Sequence, residues 1–399
     1  MTTLQTFSAA ITGGTGGAGQ TAVNNVNTTG GGGGGGVGVT ATADVSVTAT
    51  GRLTGGAGWT QINAGSGGGG VGLFSSANVM VMAGGQITGG AGGGNTTSTM
   101  AGGGGGMGVL LVSGGTLNNS GIIHGGAGGS GGLTGDGGDG GAGVLLTAGG
   151  TVINAAGGSI IGGAGGAARY NPAMEPRAGL GGAGVKGAGI TLVNAGTITG
   201  AMGGTASGAG APVLVRAAAV QFTGGVNLLE IHVGSTITSN VLAYSAADAS
   251  FGVSAIGAAA QYQGFGVYEK SGASTWTLTG VTSALTPWTL SQGALSIASD
   301  DALGASSGGL IFNGGTLRLD ADLSSARSIA VTAAGGTVDT QGNSGLLSSP
   351  IAGAGALTKT GTGTLTLTGD NSYNGGTTPP PIVVRTQPRS QMRAVVNVR

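Results

Sequence analysis

The chain has no cysteine, which excludes both disulfides and thiolate metal sites. Proline is scarce, at 9 of 399 residues, and charged residues make up only 7%. Aromatic residues are 4%, so the hydrophobic content is mainly Ala, Val, Ile and Leu in runs of three or four. No run approaches the ~20 apolar residues that a membrane-spanning helix requires. The first residues, MTTLQTFSAAITGG, carry no positive charge and no sustained apolar stretch, so no secretory signal is visible. Net charge is zero but unevenly spread. Residues 1–378 hold 9 Lys/Arg against 13 Asp/Glu, whereas 379–399 hold Arg385, Arg389, Arg393 and Arg399 and no acid. A sparsely charged, mildly acidic body gives no basic footprint for nucleic acid.

Glycine is abundant instead, at 97 residues. Without a strict every-third period and with few prolines, this is not a collagen triple helix. Disordered chains combine low hydrophobicity with high net charge, the reverse of this composition. Short aliphatic runs suit a narrow core built from many short strands.

The sequence also repeats. The pattern aliphatic-x-Gly-Gly-x-Gly recurs from Ile11, Leu53, Ile87, Ile123 and Ile161, with a decayed copy at Ile198. Two units align well, VLLVSGGTLNNSGIIHGGAGG from Val109 and VLLTAGGTVINAAGGSIIGGAGG from Val144. Each holds three strand-like runs, enough for one three-faced rung, and the rest of each ~36-residue period is a glycine-rich excursion. A lone rung cannot cover its open edges, so such a unit must stack to be stable. Asn118, Asn154 and Asn194 fall in comparable turns and are expected to form a ladder.

Near residue 213 the unit changes and glycine thins. Residues 353–378 read GAGALTKTGTGTLTLTGDNSYNGGTT, where Leu365 and Leu367 alternate with threonines in a half-buried strand. This stretch resembles the passenger-associated strand repeat of bacterial autotransporters, on Lys359, Gly361, Gly363, Leu365, Leu367, Gly369, Asn371, Ser372, Tyr373 and Gly375. A diverged copy holds Lys270, Gly272 and Ser274–Gly280. The resemblance implies a parallel β-helix passenger on the cell surface or outer membrane, or secreted from it. It also implies an outer-membrane barrel as partner, although nothing in this sequence resembles barrel strands. After Thr378 the expected continuation gives way to PPPIVVRTQPRSQMRAVVNVR, which is expected to arise from truncation or frameshift.

Candidate site residues are few, and each has a structural reading that outweighs the functional one. Gly-x-Gly-x-x-Gly matches are chance products of composition, and no Gly-Lys-Ser/Thr phosphate loop is present. Asp136 and Asp139 suggest a calcium loop, but that chemistry needs 6–8 oxygen ligands and here the pair occurs once. His124 and His232 are far apart; His124 stands where sister repeats have Thr88, Gly162 and Thr199. Asp300, Asp301, Arg318, Asp320 and Asp322 form the densest charged region, which a polysaccharide lyase would want on one face. Trp276 and Trp288 are read as covers for rung edges rather than sugar platforms.

These observations predict an all-β, right-handed parallel β-helix with glycine-rich loops. Its parts are a glycine-rich segment over 1–36, ~36-residue repeats over 37–212, autotransporter-type strands over 213–378 and a non-repeat, disordered tail over 379–399. No catalytic, cofactor or metal residues are predicted. The function expected is structural, an adhesion or biofilm passenger contacting surface glycans or proteins. The rivals are a glycine-rich surface protein of the PGRS type, in which packed polyglycine-like helices replace the β-helix, and a β-helix polysaccharide lyase or hydrolase.

Overall fold

Short aliphatic strands bounded by glycine cannot bury both sides alone, and in this chain they stack. The computed structural model describes residues 4–16, 33–60, 65–95, 99–169, 176–207, 215–244, 249–252, 256–258, 261–378, 383–385 and 395–397. Every pairing between named strands within 4–378 is parallel and joins equivalent positions of neighbouring turns, the organisation of a right-handed parallel β-helix. The segments Val383–Arg385 and Val395–Asn397 instead pair antiparallel. The chain divides into two compact units, residues 1–227 with 236–242, and residues 228–235 with 243–399.

In the first unit each turn has three strands, as in Val109–Leu111, Thr116–Asn119 and Ile122–His124. The period-two alternation sets one side chain in two inward, and in-register stacking turns these into columns. On the first face, Leu73, Val109, Val144, Val185, Val220 and Val241 align. On the third, Ile11, Leu53, Ile87, Ile123, Ile160, Ile198 and Ile237 align. From Leu53 to Ile198 this column is fully buried, and each such side chain contributes ~1.5–3 kcal/mol by leaving water. One repeat boundary is corrected by this register: Ile123 pairs with Ile160, not Ile161. The full aliphatic-x-Gly-Gly-x-Gly pattern fits only from Ile160, so the start at Ile161 is one residue late.

The polar ladder is also shifted from its expected place. Asn119, Asn154 and Asn194 are in register, whereas Asn118 pairs with Ile153 on the outward side. Asn119 Nδ2 donates to Asn154 Oδ1 at 2.9 Å, and Asn154 Nδ2 donates to Asn194 Oδ1 at 2.8 Å. All three residues are fully buried. They close the inward end of the second face, where earlier turns have Val47 and Val81.

The glycine-rich excursions are not loose loops. Residues 89–95 leave the third face and residues 101–108 return, and both limbs follow the three-residue period of a polyproline II-type helix. In the outgoing limb the N–H groups of Gly89, Gly92 and Asn95 donate to the next outgoing limb, at His124, Ala127 and Ser130. Gly90 and Gly93 donate to the preceding return limb, at Gly70 and Gly67. Gly103 and Gly106 then donate back to Gly93 and Gly90. The third positions face solvent, as Ala57, Ala91, Ala127 and Ala164 do.

This geometry explains the Gly-Gly-x pattern. None of the limb glycines between 89 and 94 or between 125 and 129 has positive φ, so unusual backbone conformation is not the reason for them. Close approach is. A Cβ on Gly90, Gly126 or Gly163 would overlap the carbonyl oxygen of Gly56, Gly90 or Gly126 respectively, well under the 3.0 Å that real Cβ atoms keep. Polyglycine-like packing thus lies beside the β-helix in this unit rather than replacing it.

In the second unit the turns shorten. Leu310–Phe312, Thr316–Leu319 and Leu323–Ser325 form one three-strand turn, and Ile329–Val331, Gly336–Asp339 and Gly345–Leu347 the next. A last turn comprises Ile351–Gly353, Leu357–Thr360 and Leu365–Leu367. The earlier strands Val267–Lys270 with Thr275–Thr279, and Trp288–Leu290 with Ala294–Ile297, supply only two faces each. A 3-10 turn at Asp300–Leu303 follows the second of these pairs.

Candidate functional site

The two copies of the strand repeat are chemically alike at their lysines. Lys270 ends its strand and Lys359 is the last residue but one of its own; both side chains turn inward and are buried. A buried ammonium must find acceptors. Lys270 Nζ donates to the carbonyls of Ser271 at 2.6 Å, Gly272 at 2.7 Å and Gln292 at 3.1 Å. Lys359 Nζ donates to the carbonyls of Thr360 at 3.4 Å and Gly361 at 2.8 Å. In both copies the lysine therefore caps the corner formed by the next two residues. Burial pulls Lys270 down from the usual lysine range to about 8. Burial also lowers Lys359, partly opposed by the nearby Asp339 carboxylate.

Alike in sequence, the copies do not occupy the same faces. Lys270 lies in the column of Leu290, Phe312 and Val331. Lys359 lies in the column of Val338, Leu317, Leu295 and Trp276. The segment after each lysine is displaced in the same way: Thr275–Thr279 pairs toward Thr316–Leu319, whereas Leu365–Leu367 pairs with Gly345–Leu347. The second copy is thus advanced by one face.

The densest charged region resolves into separate structural contacts. Arg327, which nothing in the sequence singled out, is buried and gathers the turn around Asp300. Its Nε donates to Asp300 Oδ1 at 2.9 Å. Its Nη1 donates to the carbonyls of Ala305 at 2.7 Å and Gly308 at 3.0 Å, and Nη2 to those of Asp300 and Gly304. Arg318 Nε lies 3.3 Å from Asp320 Oδ1, and Ser296 Oγ donates to Asp320 Oδ2 at 2.6 Å. Asp322 Oδ1 accepts the Ser344 N–H at 2.7 Å. Asp300, Asp320 and Asp322 are thus each taken up by a local turn contact.

The remaining candidates are also structural. Asp136 Oδ1 accepts the Arg177 N–H at 2.6 Å and Asp139 Oδ1 the Leu180 N–H at 2.7 Å. Both N–H groups belong to solvent-side positions of the next return limb, so the carboxylates complete the array's bonding. Among the described residues no group of three or more His, Asp or Glu is arranged to hold a metal ion. His124 stacks between Thr88 and Ile161 rather than Gly162, and a ring nitrogen lies 2.5 Å from the Gly125 carbonyl. His232 Nε2 lies 3.2 Å from Glu230 Oε2.

Trp276 and Trp288 are not rim covers. They are 1% and 3% exposed and meet edge to face with ring centroids 5.3 Å apart. Tyr262 and Tyr268 extend this core cluster. The sequence marks the residues as aromatic but not their side, because each follows or precedes a turn whose register only stacking fixes. The remaining tryptophan, Trp59, is 39% exposed and lines a surface pocket.

A model of the passenger-associated transport repeat matches residues 269–297 and 357–378, the two segments headed by the corner lysines. The adhesin BmaC autotransporter of Brucella suis biovar 1 (strain 1330) is 40% identical over 107 residues. That match covers 27% of this chain and 3% of the relative, so the chain spans a small part of the relative's length. Stacked parallel turns, capped corners and both similarities converge: the chain bears the passenger-associated transport repeat in two segments and is similar there to passengers of the bacterial autotransporter type.

Proposed function

We propose that the chain is a non-catalytic solenoid displayed on, or released from, the bacterial surface, and that its use is adhesion or biofilm contact. The observation that carries this reading is the pair of transport-repeat segments, each built into stacked turns and sealed by a buried lysine. Adhesin is what the Brucella relative is called, and that use is extended here to this chain. An outer-membrane barrel is the partner expected for anchoring, and surface glycans or proteins are the expected targets. The packed glycine limbs also lend weight to a kinship in surface chemistry with PGRS-type proteins, since glycine-built limbs with small third residues such as Ala57, Ala91, Ala127 and Ala164 are what the first unit turns to solvent.

The test is display. The full chain, fused behind a secretory signal and ahead of an outer-membrane barrel, is expressed on a non-adherent bacterium. The expected result is protease accessibility on intact cells together with increased attachment to epithelial monolayers or increased biofilm. Accessibility without any gain in attachment overturns the adhesion reading. Release of oligosaccharides from pectin or alginate by the purified chain overturns the non-catalytic one.

A further inference from the structure

Trp59 breaks the rule that builds the glycine array. Its N–H donates to the Gly33 carbonyl at 3.2 Å, the bond that Gly93, Gly129 and Gly166 make to Gly67, Gly103 and Gly138 in later turns. At those three positions a Cβ would overlap a backbone carbonyl, so only glycine fits. In this turn the same ladder position instead carries the largest side chain available. Packing does not ask for it: the other two tryptophans are core residues, whereas Trp59 is 39% exposed.

The indole opens into a pocket of about 260 Å³ lined by Thr15, Ala57, Gly58, Trp59 and Thr60. That is just below the ~300–1,000 Å³ of sites for drug-sized ligands and suits a single ring. Thr60 Oγ1 accepts the Gly94 N–H at 3.3 Å, which occupies one lone pair and leaves its O–H free to donate outward. Among the described residues the Trp59 indole N–H meets no protein acceptor. Among the described residues no Lys, Arg, Asp or Glu lines the pocket, so none there offers the charge-assisted pairing that selects carboxylated sugars.

We propose that Trp59, Thr15 and Thr60 form a binding site for a neutral pyranose ring of a surface glycan. The apolar C–H face of the ring lies on the indole, which combines a large flat surface with a polar N–H. The two threonine hydroxyls and the indole N–H meet the ring's hydroxyls. The proposal deepens the adhesion reading and rests on it for biological use, while its binding test is independent of display.

Trp59 also provides the readout, since it is the tryptophan open to solvent and Trp276 and Trp288 are an internal reference. The purified full chain is titrated with lactose, cellobiose and chitobiose, and with sialyllactose and digalacturonate as anionic probes, while tryptophan emission is followed. The expected result is saturable quenching by at least one neutral disaccharide and none by the anionic pair. Trp59→Gly, the residue the array itself uses at this position, is expected to keep the circular dichroism spectrum and abolish the response. Thr60→Ala is expected to weaken binding about tenfold, equivalent to ~1.4 kcal/mol. No response to any neutral probe, an equal response to the anionic ones, or a response retained in Trp59→Gly overturns the site. A displayed Trp59→Gly strain that still adheres as wild type does, with no disaccharide response in the parent, removes the site and leaves the adhesion reading intact.

Discussion

Gly90 lies so close to the carbonyl oxygen of Gly56 that there is no room between them for a β-carbon. Gly90→Ala must therefore move backbone, not a flexible side chain. The expected cost is more than about 3 kcal/mol, at the destabilising end for single substitutions. Ala91→Ser, one residue on at a solvent-side position, is expected to stay within about 0.5 kcal/mol. Amide exchange over residues 89–108 separates the two, because opening in a repeat protein is local. Equal exchange in both variants would refute the close-packed array.

Asn154 both donates to Asn194 and accepts from Asn119 in a column shut off from water. Asn154→Ala leaves polar groups unpaired on both neighbours, and a loss of about 2–4 kcal/mol is expected. Asn118→Ala faces outward and should cost less than about 0.5 kcal/mol. Chemical denaturation of the pair decides whether Asn118 or Asn119 belongs to the ladder.

Arg327 holds the turn from Asp300 to Gly308 through one carboxylate and four carbonyls. Removing the guanidinium in Arg327→Met strands a partly buried carboxylate, and a loss of about 3–5 kcal/mol is expected. Arg327→Lys should recover less than half, since an ammonium has three donors where the guanidinium has five. Faster exchange confined to residues 300–308 is the signature to look for. Unchanged protection there would show that the turn is held by its backbone alone.

Lys270 titrates near 8 when folded, against a usual value of 10.5. The unfolded chain therefore binds more protons between these values, and stability gains with rising pH across that window. The full gain is on the order of 3 kcal/mol. Lys270→Met removes this dependence, so the stability of wild type relative to the variant should rise from pH 8 to pH 10. Above pH 10 Tyr268, pushed up to about 12 by burial, acts in the opposite sense. Unfolding midpoints of both proteins across pH 7–10 give the comparison. A flat difference would mean that the ammonium is as well solvated folded as unfolded.

The columns of the β-helix were legible because inward residues such as Ile87, Ile123 and Ile198 recur every 34–42 residues with glycine two positions after them. The passenger repeat was legible for a similar reason, since Lys359, Leu365 and Leu367 form a local pattern. Where two equivalent residues stand side by side, as in Asn118–Asn119, one-residue ambiguity puts a side chain on the wrong side of the sheet. Only pairing with the next turn resolves it. The grip of Arg327 on a turn some twenty residues earlier leaves no local trace. Nor does the one-face advance between the repeat copies, because sequence spacing does not count the sides of a rung. Trp59 went unnoticed because its meaning lies in being absent from the equivalent place in every later turn.

The glycine array joins limb to limb mainly through backbone atoms, so apart from Asp136 and Asp139, whose carboxylates accept from the next limb, its third residues add little to its cohesion. Those residues, among them Ala91, Ala127, Ala164 and Leu180, are also the ones exposed to solvent. Such a scaffold can change its outer face by point substitution while the bonds beneath stay as they are. That separates variability from stability at single-residue resolution.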